Sequence, residues 1–245
     1  DRKERCDMGI IIFNGVSSAD FNILIEHPPG YEMPKKDYEV THIPGRNGDV
    51  YIDKGSYQNT TRSYDIAVGD SDRLFISMAN MVSEWLHSAS CYSRLEDSYE
   101  PEYYRMAVYK EENNIQNILD HAGRATIQFD CKPQRFLKLG DIEIYVTSEI
   151  VLRNPTGFSA KPIIKINGSG SGWLNVGNQS VNITEINEYV TMDCELQDAY
   201  KGVQNCNSKI ELVDGIFPKL DAGETIINFN GGITSVEVIP RWWTL

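Results

Sequence analysis

Regular alternation of apolar and polar residues predicts β-strands through much of the first half of the chain. The clearest alternating segments are residues 60–68, 103–109 and 123–131. Residues 9–25 predict two further strands, joined by a turn at Asn14-Gly15. Lys132-Pro133 is expected to end this first domain, because proline donates no hydrogen bond to a continuing β-ladder.

One segment has the period of an α-helix instead. Its apolar stripe spans residues 71–87 and consists of Leu74, Phe75, Met78, Met81, Val82, Trp85 and Leu86. Spacing of this kind is typical of a helix with one buried face. We expect Asp70 or Ser71 to cap the first turn and the stripe to pack on the sheet of the first domain.

Turn residues become frequent after residue 136, and no helical period is found there. Short apolar runs at near-regular spacing predict an antiparallel β-sandwich. The glycine and serine run 168–172 is expected to be a hairpin loop between two strands. It lacks the lysine and the following helix that a phosphate-binding loop requires.

A second Asn-Gly pair, Asn47-Gly48, predicts a tight type I′ hairpin turn, since that turn needs positive φ at both central residues. Tyr38, Val40 and His42 alternate before it, and Val50 and Ile52 alternate after it. Arg46 would then be exposed near the tip of a two-stranded arm. It is either a docking residue that forms a bidentate pair with a carboxylate on a neighbouring subunit or an ordinary solvated arginine.

The order of these motifs resembles one known family. The segments are Ile12-Phe13-Asn14-Gly15-Val16-Ser17-Ser18, Pro44-Gly45-Arg46-Asn47-Gly48, the helix ending at Trp85-Leu86, Asn154-Pro155, Asp214-Gly215-Ile216-Phe217-Pro218 and Pro240-Arg241-Trp242-Trp243. In this order and spacing they resemble the distal tail (Dit) proteins of long-tailed siphophages. The resemblance covers nearly the whole chain from Met8.

The resemblance implies a mainly β protein of two domains with one main helix. Residues 8–135 would be the N-terminal belt domain, which closes a hexameric ring, and residues 136–245 a C-terminal galectin-like antiparallel β-sandwich. Residues 1–7 would be an upstream extension or a remnant of cloning. The implied function is that of a structural hub in the virion, at the tail tip or baseplate, which joins the tail tube to the adsorption apparatus and lets DNA pass.

The resemblance also implies the partners. They are the tail tube protein, the tail-associated lysin or fibre hub, and receptor-binding or baseplate proteins. The protein would be made in the cytoplasm of the host bacterium.

Composition is that of an ordinary globular chain, but the net charge is informative. Of the 245 residues 41% are hydrophobic and 24% charged, and the formal net charge is −12. This charge argues against direct nucleic-acid binding, which normally needs a basic face. It either repels DNA from a ring lumen or serves solubility. No apolar run approaches the length of about 20 residues that crosses a bilayer, so membrane insertion is not expected.

No arrangement of residues points to catalysis, a metal or a cofactor. The five cysteines, an odd number without Cys-x-x-Cys spacing, predict free and mostly buried thiols. The four histidines, His27, His42, His87 and His121, lie apart in the sequence. The acidic clusters Glu96-Asp97 with Glu100 and Glu102, and Glu111-Glu112, are interpreted as solvated loop faces. An enzyme is therefore not predicted.

Three tryptophans offer an alternative function, a carbohydrate-binding module for attachment to the host cell wall. Trp173, Trp242 and Trp243 could form a stacking platform for a sugar. Trp173 follows a glycine and serine run and is expected to lie in a mobile loop. At least one of Trp242 and Trp243 is expected to be buried, since neighbours on a strand face opposite sides. We therefore expect packing and docking, with sugar binding not the main task.

Overall fold

The computed structural model describes residues 9–70, 74–110 and 122–245, and the backbone of residues 116–119. Strands predominate in these residues, and α1 (Phe75–Leu86) is the one α-helix among them. The prediction of a β-rich fold with one main helix is confirmed. The chain forms two compact units, one up to Arg135 together with Leu245, and the other Phe136–Thr244. Predictions for residues 1–7, Ser71, Glu111-Glu112 and His121 fall outside the described residues.

The first unit is built on a largely antiparallel sheet. Its strands, including those of the separate arm, are β1 (Ile11–Phe13), β2 (Val16–Ser17), β3 (Ile23–Ile25), β4 (Lys36–Thr41), β5 (Val50–Tyr57), β6 (Thr60–Gly69), β7 (Ser93–Asp97), β8 (Tyr103–Tyr109), β9 (Gln116–Leu119) and β10 (Ala122–Leu137). The sheet order is β2-β1-β7-β8-β10-β6-β3, and β9 also pairs with β10. The strands β4 and β5 pair only with each other in the part of the chain that the structure describes.

The alternation of apolar and polar residues in the sequence predicted central strands of this sheet. Strands β6 and β8 match the predicted segments, and Tyr64, Ile66 and Val68 of β6 are buried in the core. Strand β10 does not end at Lys132-Pro133 but continues to Leu137. Proline is tolerated there because the ladder between β10 and β6 has already ended at the pair Cys131–Thr60.

The turn at Asn14-Gly15 is a two-residue hairpin of the expected kind. Asn14 and Gly15 have φ of 51° and 80°, which is the type I′ requirement. Phe13 pairs with Val16 across the turn. The second strand predicted for this region is divided by a short 3₁₀ helix, Ser18–Phe21, which separates β2 from β3.

Helix α1 buries the predicted stripe but begins later than predicted. Met78, Val82, Trp85 and Leu86 lie in the core of the first unit with the strands of its sheet. The N-cap is Leu74, which makes no side-chain capping bond. A cap at Asp70 is therefore wrong, and the Asp70 carboxylate instead accepts a hydrogen bond from the Asn22 side chain.

The second unit consists of strands in one curled antiparallel sheet. They are β11 (Ile144–Val146), β12 (Ile150–Asn154), β13 (Ile163–Val176), β14 (Gln179–Asp193), β15 (Asp198–Lys201), β16 (Gln204–Asn205), β17 (Ile210–Leu212) and β18 (Gly223–Ile239). The short strand β19 (Trp243–Thr244) is not part of this sheet. Short 3₁₀ helices lie at Lys138–Asp141 and Asn207–Lys209. The order of hydrogen-bonded strands in this sheet is β11-β18-β13-β14-β15-β16. In addition, β12 pairs with β18 and β17 pairs with β14.

Three long strands, β13, β14 and β18, pass through both halves of this sheet. One half of β18 pairs with β11 and the other with β12, and β14 divides in the same way between β15 and β17. Side chains of both halves share one hydrophobic core. The expectation of short strands throughout is therefore wrong, because a single sheet folds over to make both layers.

Residues 168–172 do not form the predicted hairpin loop. They lie inside β13, where the pairing register shifts on both sides. Glycine is required here by close packing: a Cβ at Gly168 would lie 2.1 Å from the Gly232 carbonyl oxygen, and one at Gly232 would lie 1.9 Å from that of Ser169. The glycines therefore let β13 and β18 bend together.

Candidate docking surfaces

The arm, defined as β4, β5 and the loop between them, carries an exposed apolar face. Val40 is paired with Tyr51, and Tyr38 packs edge-on against Tyr51 with ring centroids 5.7 Å apart. All three side chains remain exposed, Tyr51 at 63%. A two-stranded hairpin is marginally stable alone in water, and tyrosine is enriched at protein interfaces. The arm is therefore our candidate docking surface in the first unit.

The loop at the tip of the arm is longer than the predicted two-residue turn. The Arg46 amide donates to the Ile43 carbonyl oxygen at 3.1 Å, and Gly45 has φ of 81°. This hydrogen bond, together with a positive φ at the third residue, is typical of a type II turn with Pro44 and Gly45 at its centre. Gly48 also has positive φ, but Asn47 does not. The predicted type I′ turn at Asn47-Gly48 is therefore wrong.

Arg46 is exposed in this loop. Its guanidinium pairs with no carboxylate among the residues that the structure describes. His42 and Asp49, the first and last residues of the loop, are joined by a contact of 3.0 Å between Nδ1 and Oδ1. Arg46, Asn47 and Gly48 are thus presented together at the tip, and their role in docking stays a prediction.

A buried arginine fixes the segment that leads into the arm. Arg62 Nη1 donates to the Gly30 carbonyl oxygen at 2.7 Å, and Nη2 donates to Asp97 Oδ2 at 2.9 Å. The Tyr64 hydroxyl donates to the same carboxylate oxygen at 2.7 Å. The Asp97 side chain is 2% exposed. Burial opposes its ionisation, but the hydrogen bonds from Tyr64 and Arg62 hold its pKa below the usual value.

Glu100 joins two further arginines to this network. It accepts from Arg105 and Arg135, each at 2.6 Å, and from Arg62 at 3.3 Å. Burial again opposes ionisation, and these cations lower the pKa of Glu100 below its usual value. Arg135 also donates to the Tyr31 hydroxyl at 2.7 Å, next to Gly30. We use the name root network for a set of seven residues, which are Tyr31, Arg62, Tyr64, Asp97, Glu100, Arg105 and Arg135.

The root network corrects the interpretation of the acidic cluster as a solvated face. Asp97 is buried and Glu100 largely so, and both are paired with arginines. One sequence signal could have shown this: Arg62 occupies a core position in the alternation of β6, two residues before Tyr64. A buried arginine requires a carboxylate nearby.

The three tryptophans do not form one platform. Trp242 is 4% exposed and belongs to the core of the second unit, so the expectation that one of the pair is buried is confirmed. Trp243 stacks on Phe158 at 4.5 Å and donates from its indole nitrogen to the Ser159 carbonyl oxygen. Trp173 lies on β13, paired on both sides, and the expectation of a mobile loop is wrong.

The remaining candidate groups occupy separate places. In the described parts of the chain, no three His, Cys, Asp or Glu side chains converge as a metal site requires. Cys131, Cys194 and Cys206 are free and buried, and Cys91 is free and exposed. Burial raises the pKa of both Cys131 and Cys194 to about 12, so these thiols stay protonated. Among the described residues, no helix is long and apolar enough to cross a membrane.

This architecture is similar to that of a phage protein of known structure. The crystal structure of SPP1 Dit (gp 19.1), described as a paradigm of the hub adsorption apparatus in phages that infect Gram-positive bacteria, matches with a TM-score of 0.76. The match covers 97% of this chain and 99% of that chain at 14% sequence identity. No family model and no curated protein matches the sequence. The resemblance to distal tail proteins is thus confirmed at the level of the fold.

Proposed function

We propose that this protein is a structural hub of a phage tail tip, without enzymatic activity. The observation that carries the proposal is the shared fold with SPP1 Dit over 97% of the chain. In the virion it joins the tail tube protein to a tail-associated lysin or fibre hub, and receptor-binding or baseplate proteins dock on its outside. The protein is made in the cytoplasm of the host bacterium.

The hub is a closed ring of identical subunits, formed by the N-terminal belt domain, residues 8–135. An exposed apolar arm is costly in a monomer, and a closed ring of like contacts buries it in every subunit. Strand β2 lies at an edge of the sheet, and the backbone groups of an edge strand can pair with a neighbouring subunit. The number of subunits, six, comes from the family resemblance.

DNA passes through the ring without specific binding. A chain of net charge −12 gains no counterion release on phosphates and repels them instead. The C-terminal domain, residues 136–245, is galectin-like and serves as a docking module.

The test is the mass of the full chain in solution. Light scattering after gel filtration, with negative-stain electron microscopy, is expected to show a ring at six times the chain mass. Tyr51→Ser should weaken assembly while leaving thermal melting of the subunit unchanged. Tyr145→Ser is the matched control, since Tyr145 in the second unit is exposed at 64% and Tyr51 at 63%. A full chain that stays monomeric at high concentration would contradict the proposal.

A further inference from the structure

Trp173 is an exposed aromatic residue on a rigid strand. It lies in the second half of β13, paired with Asn182 of β14 on one side and Asn230 of β18 on the other. Its side chain is 44% exposed, while its neighbour Leu174 is fully buried. Paired residues share a face of the sheet, so Trp173 is flanked by two carboxamides on the outer face.

The next row of the same face is a chain of hydrogen-bonded polar groups. Asn175 is paired with Ser180 and Asn228. The Ser180 hydroxyl donates to Asn175 Oδ1 at 2.7 Å, and Asn175 Nδ2 donates to Asn228 Oδ1 at 2.7 Å. Asn228 Nδ2 then donates to Glu149 Oε2 at 3.2 Å. These bonds fix which way each amide points.

Much hydrogen-bonding capacity remains unused in these two rows. An asparagine amide has two N–H donors and an oxygen with two lone pairs. Asn175 and Asn228 each use one N–H donor and one lone pair of the oxygen. Asn182 donates to Glu211 at 3.4 Å, while the oxygen of Asn230 accepts from the Gly231 amide. The outer face thus combines one flat aromatic ring with several oriented amides.

We propose that this outer face, defined by Trp173, Asn175, Asn182, Asn228 and Asn230, binds a neutral saccharide. The indole would stack on the apolar C–H face of a pyranose ring, and the amides would bond its hydroxyls as both donors and acceptors. Ordered donors and acceptors around an apolar contact are what a small-molecule site needs. All five residues belong to the second unit, and their proposed binding of a saccharide does not depend on ring assembly.

The charges of the face favour a neutral ligand over an anionic one. The charged groups hydrogen-bonded into it are the carboxylates of Glu149 and Glu211. These carboxylates repel a phosphate-bearing polymer, but they accept hydrogen bonds from sugar hydroxyls. A neutral hexose or N-acetylhexosamine chain is therefore the ligand class that fits.

The experiment is a binding assay with the full-length chain. An array of neutral oligosaccharides of hexoses and N-acetylhexosamines is probed first, and the strongest ligand is then titrated by calorimetry. Trp173→Ala should weaken binding by about tenfold or more, with wild-type melting. Asn230→Ala, which keeps the ring, should weaken binding less. Tyr145→Ala, an exposed aromatic elsewhere in the unit, is the control and should bind as wild type. A glycerol phosphate polymer should bind more weakly than the neutral ligand.

Three results would overturn the proposal. One is the absence of binding to any array member at millimolar ligand. Another is saccharide binding that Trp173→Ala leaves unchanged. The third is a loss of self-association in Trp173→Ala without any saccharide binding, which would make the face a protein interface.

Discussion

Arg62 is the residue on which the position of the arm depends. Its guanidinium is buried and joins a backbone carbonyl, a hydroxyl and two carboxylates. Through Gly30 it holds the chain that enters the arm, and Arg135 holds the adjacent Tyr31. A charge buried this deeply is stable only while its partners remain. The root network therefore fixes where the arm leaves the sheet.

We expect Asp97→Asn to destabilise the first unit. The substitution keeps the shape but leaves Arg62 buried with fewer negative partners, a change that costs about 3 kcal/mol. A fall in Tm of roughly 10 °C is expected in a thermal melt. Lys110→Met, which removes an exposed pair with Asp130, is the control and should melt as wild type. An unchanged Tm in Asp97→Asn would show that the network does not stabilise the fold.

Stability should also fall in acid through the same carboxylates. Asp97 and Glu100 have lowered pKa values in the folded chain, so the unfolded chain binds more protons below about pH 4. Their contribution is complete above that pH and is lost as pH falls through the lower folded-state values. Urea unfolding from about pH 5 to about pH 2 should show a shallower loss of stability in Asp97→Asn. Equal slopes for the two proteins would contradict this assignment.

At the scale of elements, the bend shared by β13 and β18 depends on four glycines. An added Cβ at Gly168, Gly172, Gly231 or Gly232 would lie 2.7 Å or less from a carbonyl oxygen of the opposite strand. The pairing register of β13 with both β14 and β18 shifts here. Both layers of the second unit are connected through this point.

Gly232→Ala should destabilise the second unit by at least about 2 kcal/mol, because its Cβ would overlap the Ser169 carbonyl oxygen. Thermal melting followed by circular dichroism measures this effect. Gly157→Ala is the matched control, since no heavy atom lies within 4 Å of its added Cβ, and it should melt as wild type. Equal melting of the two variants would mean that the bend tolerates a side chain.

Two Asn-Gly pairs show what the sequence could and could not predict. Asn14-Gly15 forms the type I′ turn because only two residues separate its strands. Asn47-Gly48 does not, because the loop already turns at Pro44-Gly45 and has eight residues between β4 and β5. Local patterns predicted the helix and most strands of the first unit, but not β7 or β9. They missed the long strands of the second unit, because a bend and a hairpin loop share the same glycines.

Only part of the candidate site could be predicted from the sequence. Arg46 and its loop were evident as an exposed, turn-rich segment, and the structure places them at the tip of the arm. The root network was not evident, since Arg62, Glu100 and Arg135 are far apart in sequence. Nor was the face around Trp173, whose flanking residues come from three strands.

At the scale of the whole molecule, the chain has two separate hydrophobic cores, and no residue of the arm belongs to either core. Substitutions on the arm can therefore change association without changing the stability of the fold. This separation allows assembly and folding to be tested independently.

Arg46→Ala should reduce ring assembly and leave melting unchanged, because the loop holds the side chain away from the core. Light scattering measures assembly, and a thermal melt measures folding. Lys54→Ala, on the same arm but near Asp37, is the control and should assemble normally. Unchanged assembly in Arg46→Ala would leave Arg46 as a solvated loop arginine.

The continuity of β13, β14 and β18 through both layers has a mechanical consequence. In a sandwich of separate sheets, the layers can slide over each other by losing apolar contacts alone. Here sliding would also shear the hydrogen-bond ladders along three covalently continuous strands, and many such bonds would have to break together. A pulling force across this unit should therefore meet one high rupture barrier, a useful property in any particle part that bears load.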